Sequence, residues 1–245
     1  MVGATPPVDD RRPAGVPVIV VTPAAVGIDV SPTVAAIAVG LRDESLTPVV
    51  LSPVRTGRPD ARGVADEHPA SVLAGGLDVV EPVRLYAVGP PVPAARAEGQ
   101  ELPPAAVLAA LLAQTARRPG VDLVLLADSV GLFTPIDEDG ATLADVLDLA
   151  ASLAVRVGTV VVCDAAVGGV HAAVAVTEAL RRRTLDLLGT VLATRPAEHD
   201  VAGAYLAATL EGATGLPLLG SIPEGAGGWE PSVFADRAGA WLPIR

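Results

Sequence analysis

The sequence predicts a doubly wound, mainly parallel α/β sheet with helices on both faces, and three observations carry that fold class. Short runs of Val, Leu and Ile recur along the chain, they do not alternate with polar residues, and a helix-like segment separates most of them. Strands buried on both faces read as continuous apolar runs, and parallel neighbours need a crossover between them. Composition agrees: 51% of the residues are hydrophobic but only 2% are aromatic. The interior must therefore be built from small aliphatic side chains in closely approaching layers.

The elements follow in order. Residues 1–16, MVGATPPVDDRRPAGV, lack the continuous apolar core of a signal peptide and read as a disordered, Pro-rich leader. One domain is expected from 17 to 245. Its strands are VPVIVV (16–21), TPVVLS (47–52), VDLVLLA (121–127), GTVVVC (158–163), LLGTVLA (187–193) and LPLLGSI (216–222). Its helices are 32–41, 63–74, 104–117, 142–155, 171–184 and 200–212. Sheets of this kind bind ligands beyond the carboxyl ends of their strands. The loops 22–31, 52–66, 127–136, 163–171 and 193–200 are thus where function is expected.

Charge and cysteine content exclude several function classes. All 17 basic residues are Arg, and the net charge is −11. That balance opposes a polyphosphate backbone, so nucleic-acid binding is disfavoured, and Arg181, Arg182 and Arg183 read as a solvated helix end. The single Cys163 cannot form an internal disulfide and sits in a buried-strand pattern. Asp164 and His171 interrupt the longest apolar run, which leaves no stretch of about 20 uncharged residues for a membrane span. The expectation is a soluble, cytoplasmic chain.

The first loop has the frame of a phosphate loop without its chemistry. Such a loop needs glycines that turn backbone N–H groups towards phosphate oxygens, a helix N-terminus, and a Lys to neutralise the outer phosphates. In TPAAVGIDVSPT, Pro23 has no N–H, Asp29 adds a negative charge, and Val30 stands where a Lys precedes the hydroxyl of Ser31. Gly27 and Ser31 remain. A carboxylate about 4 Å from a phosphate charge costs about 4 kcal/mol at an effective dielectric of about 20. That is roughly a thousandfold in affinity. The loop by itself reads equally as an ordinary strand-to-helix connection with Asp29 or Ser31 as the N-cap.

Other segments place it in context. LSPVRTG (51–57), LFTPIDEDGATLADV (132–146) and TGLPLLGSIPEGAGG (214–228), in this order and between the expected strands, resemble dethiobiotin synthetases. LYAVGPPVPAARAEG (85–99), GGVHAAVAVTEAL (168–180) and the closing WLP extend the likeness from about Val18 to Leu242. The resemblance implies a P-loop NTPase-like α/β fold, usually a homodimer. It also implies the use of ATP and Mg2+ to close the ureido ring of dethiobiotin from a carbamate of diaminopelargonic acid.

Laid on the family's G-T-x-T-x-V-G-K-T pattern, Pro23 and Asp29 replace glycines, Val30 replaces the lysine, and Ser31 keeps the hydroxyl. In the family's K-P-V-x-T-G motif Ser52 takes the lysine's place, while Pro53, Val54, Thr56 and Gly57 match. The family's E-G-A-G-G segment, anchored on Phe133, Thr134 and Pro135, puts Ala127 at the metal-binding glutamate, with Asp128 as a stand-in after a one-residue shift. Gly131 then falls at a substrate-contacting glycine. Asp66 matches the family's other metal-binding aspartate and reads equally as a first-turn helix acid. Thr194 stands where the family reads adenine with an Asn, and Gly168 matches the helix N-terminus that holds the substrate carboxylate across the dimer.

Other chemistry finds little support. His68, His171 and His199 lack metal-ligand spacing and read as surface or cap residues. Ser31, Ser52 and Ser129 lie on loops that can converge, without a G-x-S-x-G elbow. Asp137, Glu138 and Asp139 read as a solvated turn before a cap at Thr142. The leading expectation is a non-catalytic homologue with a degenerate ATP site, acting as a homodimer or beside an active paralogue or another biotin-pathway protein. A second is an active enzyme in which Arg55 or Arg58 supplies the lost positive charge next to Thr56. A third is a small-molecule binding or assembly module.

Overall fold

A computed structural model describes residues 17–57, 67–166, 168–183, 185–194 and 200–242; the proposed leader, 1–16, lies outside them. Seven strands form one sheet in the order β3-β2-β4-β1-β5-β6-β7, and every pairing is parallel. The strands are β1 (Val18–Pro23), β2 (Pro48–Leu51), β3 (Asp78–Val80), β4 (Leu123–Ala127), β5 (Val157–Cys163), β6 (Asp186–Leu192) and β7 (Leu218–Ser221). The central strands are apolar on both faces because both faces are covered. In β1, Val18 and Val20 enter one core and Ile19 and Val21 the other. In β4, Val124 and Leu126 alternate with Leu123, Leu125 and Ala127 in the same way.

The helices divide between those cores. α1 (Ser31–Asp43), α2 (Pro69–Leu73) and α8 (Pro231–Ala238) lie on one face. α3 (Pro91–Glu98), α4 (Ala105–Ala116), α5 (Leu143–Ser152), α6 (Gly169–Arg182) and α7 (Val201–Thr214) lie on the other. α1 is buried almost continuously from Pro32 to Val39 between the sheet, α2 and α8. Each fully buried aliphatic side chain in such a layer contributes roughly 2 kcal/mol. Trp241 closes this face at one end with edge-on contacts to Trp229 and Phe234.

All six expected strands form, within two residues of their expected ends. Among the described residues, one strand and two α-helices were not expected from the sequence. β3 is a three-residue edge strand opening on Asp78, too short for an apolar run to register. α3 and α8 begin with Pro91 and Pro231, which pass for loop punctuation although a first-turn proline forgoes no helical hydrogen bond. Of the expected helix 63–74, residues 63–66 lie outside the described residues, Glu67 and His68 are not helical, and α2 starts at Pro69.

Candidate functional site

The carboxyl ends of β1, β5, β6 and β7 open into a cavity of about 610 Å³. β1 is the strand at which the chain's crossovers change direction, and crevices at such a point are the usual ligand sites of open α/β sheets. One wall is the loop from Ala24 to Asp29 with Pro32 of α1; Asp164, Ala166, Gly168 and Gly169 form another. Ala193, Thr194 and, from the turn after β7, Ile222, Pro223, Gly225, Ala226 and Gly227 complete it. Among the described wall residues, the charged side chains are Asp29 and Asp164; no Arg or His is among them.

Three hydrogen bonds hold the loop after β1. Ala24 N–H donates to the Val162 carbonyl at 2.8 Å and Ile28 N–H to that of Ala25 at 3.4 Å. Asp29 Oδ1 accepts the N–H of Ser31, the first residue of α1, at 2.9 Å. The expected cap is thereby corrected: the boundary residue is Val30, with no side-chain cap, and Asp29 serves the next N–H instead. Val30 is 3% exposed and belongs to the core beneath α1. Gly27 turns the loop at φ +95° in open space.

The opposite wall is set by glycines. Gly168 (φ +91°) precedes the first turn of α6. Gly169, which sequence reasoning passed over, is the tighter position: a Cβ there would lie 1.9 Å from the Asp164 carbonyl oxygen. The only signal for it is the Gly-Gly doublet at the start of a helix. Asp164 is exposed to the cavity, and Thr194 is exposed on the third wall.

On the far side of β1, the strand ends carry the Arg55–Glu81 ion pair, with Arg84 and His68 beside it. Arg55, 8% exposed, forks onto Glu81, with Nε donating to Oε1 and Nη2 to Oε2 at 2.8 Å. Arg84 donates to the carbonyls of Arg55 and Leu85, and its guanidinium lies 4.7 Å from the Tyr86 ring centroid. His68 is buried and caps α2, its Nδ1 accepting the N–H of Ala70 at 3.3 Å. Burial lowers the His68 pKa to about 4 against the pull of Glu81; Arg55 adds to the depression, Asp29 opposes it, and Arg84 adds to it again. Thr56 and Gly57 (φ +105°) follow, half-buried.

Asp128 is buried at the end of β4, and both its oxygens are engaged. Oδ2 accepts the Thr22 hydroxyl at 2.7 Å; Oδ1 accepts the N–H groups of Val130 at 3.0 Å and Gly131 at 2.9 Å. Burial pushes its carboxyl up, against those three hydrogen bonds. The carboxylate thus ties β4 to β1 and shapes the turn at Gly131 (φ +92°). Ser52, at the second lysine position, is fully buried, and its hydroxyl has no hydrogen-bond partner among the described residues. Asp66, Arg58, Arg195 and His199 lie outside the described residues.

Two further expectations meet their structure here. Thr142 caps α5 in a capping box with Asp145. The solvated turn ahead of it is corrected at Asp137, which is buried and accepts the N–H groups of Asp139, Ala141 and, from α4, Ala105. Among the described residues, no group of three His, Cys, Asp or Glu side chains is placed to hold a metal ion. No helix among them is long and apolar enough to cross a membrane.

No family model matches the chain. It is 34% identical over 231 residues to the ATP-dependent dethiobiotin synthetase BioD of Streptomyces avermitilis, covering 93% of this chain and 92% of that protein. The protein of the same name from Corynebacterium kroppenstedtii is 33% identical, over 89% of this chain and 91% of its own. Among solved structures, the septum site-determining protein MinD of Pyrococcus horikoshii complexed with Mg-ADP superposes with a TM-score of 0.56 at 16% identity, covering 91% of both chains. A chain of the MinC:MinD cell division protein complex of Aquifex aeolicus gives 0.52 at 13%, covering 91% of this chain and 86% of that one. At these identities the structural likeness concerns the fold alone, which is of the P-loop NTPase type.

Proposed function

The chain belongs to the dethiobiotin synthetase family, and we propose that it is a member in which ATP binding and catalysis have been lost. In this reading it serves biotin metabolism as a structural or regulatory subunit. It does so as a homodimer, or beside an active paralogue or another protein of the pathway. The observation that carries the proposal is the charge of the cleft: its described wall presents Asp29 and Asp164 and no arginine or histidine.

ATP and Mg2+, which the family implies, fit these residues poorly. Phosphoryl-transfer sites work by positioning the phosphates and neutralising their charge. Here Pro23 has no N–H to offer, and the N–H of Ser31 is already accepted by Asp29. Val30, at the lysine position, is part of the core. Arg55, the cation that could have compensated beside Thr56, is engaged by Glu81. Asp128, the candidate stand-in for the metal-binding glutamate, has both oxygens occupied by protein donors. These features support loss of the whole nucleotide function over a single rescued substitution.

Complementation tests the proposal. Expressed in cells that lack their own dethiobiotin synthetase, the protein is expected to leave growth dependent on added biotin. Growth without biotin would overturn the non-catalytic reading and favour the active alternative.

A further inference from the structure

From Ala105 to Ala116, α4 carries no charged residue on any side. Its inner side, with Leu108, Leu112 and Ala116, enters the core. Its outer side presents Val107, Ala110, Leu111 and Gln114, the spacing of one helical stripe; all are exposed except Leu111, which is half-buried. Val107 is 54% exposed. A helix that is apolar all round is ordinarily covered all round. Two further features of this face say what fits it.

The first is shape. Val107 stands out from the N-terminal half of α4, while the C-terminal half borders a groove of about 750 Å³ lined by Ala110, Leu111, Gln114, Arg117 and, at the end of α5, Leu153. The second is charge. Ahead of the helix Glu101 and Asp139 are exposed, and Asp137 ties the turn carrying Asp139 to the Ala105 N–H at 3.2 Å. Behind the helix Arg117 and Arg118 are exposed. Arg118 pairs with Asp78; among the described residues Glu101, Asp139 and Arg117 form no ion pair. Knob and groove, acid and base, thus lie at opposite ends of one face, which is complementary to itself when turned about a twofold axis. We infer that α4 docks antiparallel on α4 of a second copy of this chain. The axis passes between Ala110 and Leu111, Val107 of each copy enters the groove beside Gln114 of the other, and Arg117 faces Glu101 and Asp139. Opposed helix dipoles add to the fit. The contact is separate from any at the N-terminus of α6, since α4 packs beside α5 and α6 beside α7. It goes beyond the proposed function and holds whether or not ATP binding has been lost.

Cysteine crosslinking of the full chain tests it, because Cys163, the single cysteine, is fully buried. At micromolar protein and with a short bis-maleimide, Ala110→Cys is expected to give a covalent dimer. Val233→Cys, exposed on α8 across the sheet, is expected to give none. Val107→Glu added to Ala110→Cys should cut the crosslinked yield about tenfold, since it buries a carboxylate in the groove. Circular dichroism verifies that each variant is folded. In the same Ala110→Cys background, Arg117→Glu should lower the yield about threefold, as should Glu101→Arg combined with Asp139→Arg. All three reversals together should restore it, a rescue that a damaged helix would not show. No covalent dimer from Ala110→Cys, equal crosslinking from Val233→Cys, an undiminished yield with Val107→Glu, or no rescue by the combined reversal would overturn the inference. Growth without biotin in the complementation test would overturn the proposed function and leave this contact standing.

Discussion

The two sides of β1 end in opposite electrostatic designs. Towards β5, β6 and β7 the strand ends form an open cleft whose described charged residues are two acids. Towards β2 and β3 the strand ends carry Arg55 and Arg84 together with Glu81 and a neutral His68. Positive charge has therefore not vanished from the carboxyl end of the sheet; it is spent on structure on one side and absent from the described wall on the other. A missing lysine can be replaced by a neighbour only if that neighbour's charge is free, and Arg55 is already committed.

That contrast can be broken in four ways. Glu81→Ala has the largest expected effect, because it strands the Arg55 guanidinium in a site where both side chains are at most 14% exposed. Removal of one partner of such a pair costs about 4 kcal/mol. Chemical denaturation should show this loss, with no gain of nucleotide binding; a stable variant that bound Mg-ATP would mean that Arg55 had been the phosphate ligand in waiting. Val30→Lys probes the other side. It puts a charged amine into the core under α1 and is expected to cost about 3 kcal/mol without creating an ATP site. A stable, ATP-binding Lys variant would show that the lysine seat still faces the cleft.

His68 supplies a pH test of the side towards β2 and β3. The unfolded imidazole titrates near 6.5 and the folded one near 4, so protons bind the unfolded chain more readily in that interval. Stability is fully present above pH 6.5 and falls as the pH drops towards 4, by about 3 kcal/mol. His68→Asn keeps a capping side chain and should flatten that part of the profile; an unchanged profile would remove His68 as its source. Asp128 gives the smallest of the four effects. Asp128→Ala leaves Thr22 Oγ1 and two N–H groups without their acceptor and should cost about 2 kcal/mol. Asp128→Asn can still accept both N–H groups and should stay within about 1 kcal/mol of the parent at pH 7. An equal loss in both would point to a role for the charge itself.

Much of the fold was legible before any coordinates, because doubly covered parallel strands leave uninterrupted apolar runs. β3, α3 and α8 escaped for a common reason: one is too short to show periodicity, and the other two begin with prolines that mimic loop signals. The site was legible in part. The replacement of lysine by Val30 and Ser52 is plain in the sequence, but the burial of both residues is not. Nor could spacing reveal that Glu81, 26 positions from Arg55, would consume its charge. Gly169 was hidden because a Gly-Gly doublet does not say which of the two lacks room for a Cβ.

Calorimetric titration of the full chain with Mg-ATP tests the central claim most directly. A cleft whose described charges are Asp29 and Asp164, and whose lysine seat is filled by the buried Val30, should give no heat of binding up to millimolar nucleotide. Saturable binding in the micromolar range would contradict the account and restore the protein to the ATP-using members of its family.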